Sequence, residues 1–179
     1  RILGIESSSL VASVAVVTDG VVTAEYTVNF KKTHSQTLLP MLDEIVRMVE
    51  LDLETVDAIA VSGGPGSFTG LRIGSATGKG LGLALKKPLI HIPTVDGMAY
   101  GMYGYGGLVC PIMDARRNQV YTGIYDNREG FTAVREQCAM DIDELVDELN
   151  NMETRVVFLG DGVPVYRERI AERMTVPFS

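Results

Sequence analysis

Apolar and polar positions alternate along the start of the chain in three short runs. ILGIE (2–6), ASVAVV (12–17) and VVTAEYTV (21–28) read as strands, and a turn at Thr18-Asp19-Gly20 joins the last two. The period then lengthens. HSQTLLPMLDEIVRMVE (34–50) gathers Leu38, Leu42, Ile45 and Val49 on one helical face. DAIAVS (57–62) predicts a buried strand, and the segment from Thr69 to Leu85 a second helix. The order then recurs: LVCPIMD (108–114), QVYTGIYD (119–126) and TAVREQCA (132–139) are strands, followed by the helix DIDELVDELN (141–150) with Asp141 as its N-cap. RVVFLGDG (155–162) is a strand, and Pro164 begins a helix over PVYRERIAERM (164–174). Both halves run strand, strand, strand, helix, strand, helix, which predicts an α/β protein of two lobes. The join is placed in MAYGMYGYGG (98–107), where four glycines loosen the chain, giving lobes over 1–103 and 104–179.

This duplicated βββαβα order resembles the actin-like ATPase fold, the ASKHA or RNase H-like class, whose members hold ATP between lobes. In those folds acidic residues at the tips of the first hairpins position a metal and a water. Here Glu6 ends the first strand, ahead of Ser7 and two further serines, and Asp114 ends the corresponding strand of the second half. Two readings stay open: carboxylates and a hydroxyl facing a nucleotide cleft, or polar residues that turn a hairpin. Phosphate-loop patterns are absent. Gly74 to Gly78 is one residue short of a Walker A loop, and Lys79 is followed by Gly80 rather than Ser or Thr. Gly64-Pro65-Gly66 would need a third glycine where Thr69 stands. GGPGSFTG (63–70) could still present backbone N–H groups at a helix start.

Composition narrows the function. The chain has 179 residues, 46% of them hydrophobic, with no apolar run long enough for a membrane helix, so a soluble globular protein is expected. Its opening residues read as strands, not as a secretory signal. A net charge of −7 argues against tight, direct nucleic-acid binding, which needs a concentrated positive surface. Cys110 and Cys138 suggest no disulfide framework, and a reducing cytoplasm is expected.

The second helix carries Gly70, Gly74, Gly78 and Gly82 at four-residue spacing. Each interior glycine costs about 1 kcal/mol relative to alanine, so close backbone contact must offset the loss. Either the protein's own sheet or a partner helix can supply that contact. On the first helix, Leu39 and Val46 widen the apolar arc on one side, and Met41 and Met48 on the other. Half a circumference of apolar surface exceeds what one sheet contact needs. A partner interface is therefore expected over Leu38, Met41, Leu42, Ile45, Met48, Gly70, Gly74, Gly78 and Gly82.

ILGIESSS, THSQTLLPML, GPGSFTGLRIG and MDARRNQVY together resemble the bacterial TsaB family, also called YeaZ, across the whole chain. The resemblance implies an actin-like subunit without catalysis or cofactor of its own. Such a subunit supports the related TsaD in placing threonylcarbamoyl on adenosine 37 of transfer RNAs that read ANN codons. It implies TsaE, a P-loop ATPase, as a further partner, a homodimer when TsaD is absent, and transfer RNA as the substrate of the complex, not a tight ligand of this chain. Family members commonly carry more helical sequence after a segment like YRERIAERM. TsaD-type relatives have a metal-binding H-x-x-x-H after a stretch like KPLIHI. Here Thr94 and Met98 occupy those places, so no metal site is expected. Two alternatives stand beside the scaffold: an ATPase or phosphotransferase using Glu6 and Asp114, and a glycoprotease-like metallopeptidase, for which the sequence offers no ligand set.

Overall fold

Each period-two run becomes a strand where the pattern places it. The computed structural model describes residues 1–30 and 33–179. In the first unit, Arg1–Thr94, strands β1 (Ile2–Glu6), β2 (Ala12–Thr18) and β3 (Val21–Val28) form antiparallel hairpins. The β2–β3 turn has Asp19 at φ 49° and Gly20 at φ 80°, the paired positive values that match the twist of a tight hairpin. Helix α1 (His34–Met48) then leads to β4 (Ala58–Ser62), helix α2 (Phe68–Leu85) and β5 (Leu89–Ile92), giving the sheet order β3-β2-β1-β4-β5. β4 pairs in parallel with both neighbours. Leu3, Ile5, Val14, Val16, Ile59 and Val61 form the sheet side of one core, closed by Leu38, Met41, Leu42 and Ile45 of α1.

The second unit, Val95–Ser179, repeats the scheme with β6 (Leu108–Arg116), β7 (Gln119–Asp126), β8 (Thr132–Asp141), α4 (Ile142–Asn151), β9 (Val156–Leu159) and α5 (Val163–Arg173). Its sheet order is β8-β7-β6-β9. Asp141 caps α4 as expected, its carboxylate accepting from Asp143 N at 2.8 Å. β6 is apolar on both faces because both are covered. Cys110 and Ile112 pack in one core with Leu145, Leu149 and Ile170, while Val109 and Met113 pack in another with Val95 and Ala99. The twice-used βββαβα order is the duplicated α/β arrangement of the actin-like fold. Among the described residues, no helix is long and apolar enough to cross a membrane.

The division between units falls earlier than the glycine-rich join over 98–107. It lies between Thr94 and Val95, not after residue 103. The reason is helix α3 (Thr94–Tyr100), which the sequence pattern did not reveal. Val95 and Ala99 are fully buried against Val109, Met113 and Tyr125. The Tyr125 hydroxyl donates to Asp96 Oδ1 at 2.6 Å, and Asn127 Nδ2 donates to the Ala99 carbonyl at 2.6 Å. α3 therefore belongs to the second core. Val95→Asp, which buries an unpaired carboxylate, is expected to loosen the second unit by several kcal/mol. Amide exchange should accelerate at Val109, Met113 and Tyr125 and stay unchanged in β1 and β4. Loosening of β1 and β4 instead would contradict this boundary.

Candidate functional site

The serine run after β1 lies beneath the start of α2. Ser7 is fully buried and donates its hydroxyl to the Gly70 carbonyl at 2.9 Å. The Ser8 carbonyl accepts from Ser67 N at 2.6 Å, and the His34 ring contacts the Ser9 carbonyl through Nε2 at 2.8 Å. Ser67 also caps α2, accepting from Gly70 N. Glu6 has both carboxylate oxygens engaged, one by Ser8 N and the other by the Ser62 hydroxyl at the end of β4. It thus closes the turn after β1 and ties that turn to the end of β4.

Asp114 stands in the second unit. Its Oδ1 accepts from Arg116 N at 2.9 Å and from the Tyr166 hydroxyl at 3.0 Å. Burial, then the Asp114 carboxylate, pushes the Tyr166 phenol up from its ordinary value. The turn after β6 holds Arg116, Arg117 and Asn118 at φ 69°, 54° and 63°, and Asp114 steadies its start. Glu6, Ser7 and Asp114 are thus each engaged inside their own unit.

The expected interface needs correction. Gly70, Gly74, Gly78 and Gly82 are buried on the face of α2 that meets the chain's own sheet. A Cβ at Gly70 would strike the Ser7 carbonyl oxygen, and one at Gly74 the Ser7 hydroxyl. At Gly78 it would come within 2.5 Å of a Val61 methyl, and at Gly82 within 3.1 Å of the Lys87 carbonyl. Leu38, Met41, Leu42 and Ile45 are likewise buried in the first core. The wide arc of α1 is needed because that helix packs on the sheet and also beside α2, where Val46 and Val49 share a core with Ile73 and Leu81. Of the nine expected residues only Met48 faces outward, at 76% exposure.

The outward apolar set is a different one. Leu39 and Met48 project from α1, and Phe68 and Leu83 from α2, the last at 84% exposure. Leu39 was visible in the sequence as the edge of the apolar arc. Phe68 and Leu83 could have been found as the apolar residues across the helix from the glycine stripe.

Thr94 and Met98, which the resemblance sets against a histidine pair of TsaD-type relatives, have packing roles. Thr94 is buried, exchanging hydrogen bonds with Gly64 through its amide at 2.9 Å and its hydroxyl oxygen at 3.2 Å. Met98 packs in the second unit against Val95 and its neighbours. His91 lies over Gly63, apart from His34. Among the described residues, no three His, Cys, Asp or Glu side chains come together as metal ligands would. Cys110 and Cys138 are free thiols, and burial pushes Cys110 up to about 12.

With this geometry in view, the relatives are informative. A family model described as TsaD, tRNA N6-adenosine threonylcarbamoyltransferase, matches residues 21–176. The tRNA threonylcarbamoyladenosine biosynthesis protein TsaB of Bacillus subtilis is 32% identical over 96% of this chain and 75% of its own length. The protein of that name from Escherichia coli is 37% identical over 72% of this chain and 56% of its own. The solved structure of YeaZ from Pseudomonas aeruginosa superposes with a TM-score of 0.83 at 27% identity, over 99% of this chain and 83% of that one.

Two glycine substitutions separate the inner face of α2 from the outer. Gly70→Ala should destabilise the first unit by about 1–3 kcal/mol through overpacking against Ser7. Gly80→Ala, with nothing within 4 Å of the added carbon, should stabilise it by about 1 kcal/mol. Urea unfolding checks both signs. Equal stability of the two variants would refute the inward orientation of the stripe.

Proposed function

Because the chain belongs to the TsaB family of tRNA threonylcarbamoyladenosine biosynthesis proteins, we propose that it is a non-catalytic scaffold for the related enzyme TsaD. In this role it supports TsaD as threonylcarbamoyl is placed on adenosine 37 of transfer RNAs reading ANN codons. The observation that carries the reading is the set of exposed apolar side chains on α1 and α2, with Met48 at 76% and Leu83 at 84% exposure. Leu39, on the other side of the α1 arc from Met48, is exposed as well. Two adjacent helices with outward apolar side chains suit a helical bundle with a partner of the same ancestral fold. A pseudo-two-fold pairing of that kind allows a second copy of this chain to occupy the surface when TsaD is absent. TsaE completes the assembly, transfer RNA is engaged as the substrate of the whole complex, and the work is done in the cytoplasm.

The competing reading is an ATPase or phosphotransferase acting through Glu6 and Asp114. At Glu6 both carboxylate oxygens are engaged inside the first unit, which favours the scaffold, whereas Asp114 bonds through Oδ1 alone and keeps Oδ2 beside the exposed Arg116 guanidinium at 3.5 Å. At the places corresponding to the enzyme's metal ligands, Thr94 and Met98 offer poor donors for such a metal. The purified chain is accordingly expected to show no ATP turnover above background. Turnover lost in both Glu6→Ala and Asp114→Ala would bring the enzyme reading forward.

Binding to TsaD tests the scaffold directly. Met48→Glu and Leu83→Glu each place a charge in the apolar surface and should weaken association by about tenfold or more. Their melting temperatures should stay close to that of the unmodified chain, because both side chains are exposed. Calorimetric titration with TsaD gives the first quantity and a thermal melt the second. Unchanged affinity in both variants would remove the surface from the interface.

A further inference from the structure

The other flank of α2 carries a second surface. Strand β5 is the edge of the first sheet, and α2 runs beside it. Between them lies a groove of about 600 Å³, bounded by Phe68, Leu71, Ser75 and Ala76 on the helix and by Leu89 and Ile90 on the strand. The Pro88 and Ile92 carbonyls accept from Ile59 N at 3.0 Å and Gly63 N at 2.8 Å. The twofold alternation of a strand therefore turns the N–H and C=O groups of Leu89 and His91 away from β4, toward the open edge. An extended segment added there would bond to those groups and set alternate side chains against the helix flank, as in recognition by strand addition.

Charge narrows the occupant. The charged residues lining the groove are Arg72 and Lys79, and no carboxylate lines it. The chain as a whole carries −7, so this cationic rim runs against its overall balance. The Arg72 guanidinium sits 3.8 Å above the Phe68 ring, which gives the rim a cation beside an apolar wall. We propose that the β5–α2 groove binds an extended partner segment in which apolar residues alternate with acidic ones, captured as an added strand.

Titration of the isotope-labelled 179-residue chain tests this. The probes are an acetylated, amidated octapeptide alternating valine with glutamate, and its valine–lysine counterpart. The glutamate peptide should shift the Leu89 and His91 amide resonances, and the lysine peptide should not. His91→Pro removes an outward N–H while keeping the bonds to β4, and should weaken binding by about tenfold. Reversing the rim with Arg72→Glu and Lys79→Glu should reverse the preference between peptides, which decides the matter even if His91→Pro fails to fold. Silence at Leu89 and His91 with both peptides, an equal response to both, or an unreversed preference would overturn the proposal. The measurement involves neither TsaD nor transfer RNA, so its failure would leave the scaffold reading untouched.

Discussion

Along its glycine stripe, α2 meets the sheet side with no side chain of its own in between. Gly70 and Gly74 rest on Ser7, Gly78 on Val61 and Gly82 on the turn into β5. That closeness fixes much else in the first unit. Ser7 can reach the Gly70 carbonyl only because the helix lies so near. Ser8 receives Ser67 N, Ser67 caps the helix, and Glu6 ties the end of β1 to Ser8 and Ser62. The loop from β4 is held in turn by Thr94. A polar cluster that resembles a reaction centre in sequence is thus a connected set of fastenings at one end of the sheet.

The same constraint divides the helix by function. Interior glycines weaken a helix by about 1 kcal/mol each, and close packing on the sheet must offset that loss. The inner face is therefore committed. What α2 can offer a partner lies away from the stripe, and the exposed apolar side chains of the two helices are Leu39 and Met48 on opposite sides of the α1 arc, with Phe68 and Leu83 on α2. For the scaffold proposed above, this separation would be useful: the core need not change if the surface changes partner.

Much of the fold was legible because local rules and global packing agree. Alternation marked the strands, Asp19-Gly20 marked the first hairpin and Asp141 marked the start of α4. Helix α3 was hidden because it is only seven residues long and contains Gly97. Its assignment to the second unit rests on contacts of Val95 and Ala99 with distant strands, which no local pattern records. The direction of the glycine stripe was also illegible. Small residues at four-residue spacing signal close approach but not what approaches, and here the neighbours run from Ser7, 63 residues before Gly70, to Val61 and Lys87 near the helix ends. The motifs MDARRNQVY and GPGSFTGLRIG indicated the family, yet Asp114 of the first stands at a turn and Ser67 of the second caps a helix.

Two methionines on one helix allow a decisive test of this division. Met41 is 3% exposed and Met48 76%, so oxidative footprinting of the free chain should modify Met48 and spare Met41. Adding TsaD should protect Met48 and leave Met41 as it was. Rapid modification of Met41 in the free chain would contradict the inward face, and undiminished modification of Met48 in the complex would contradict the outward one.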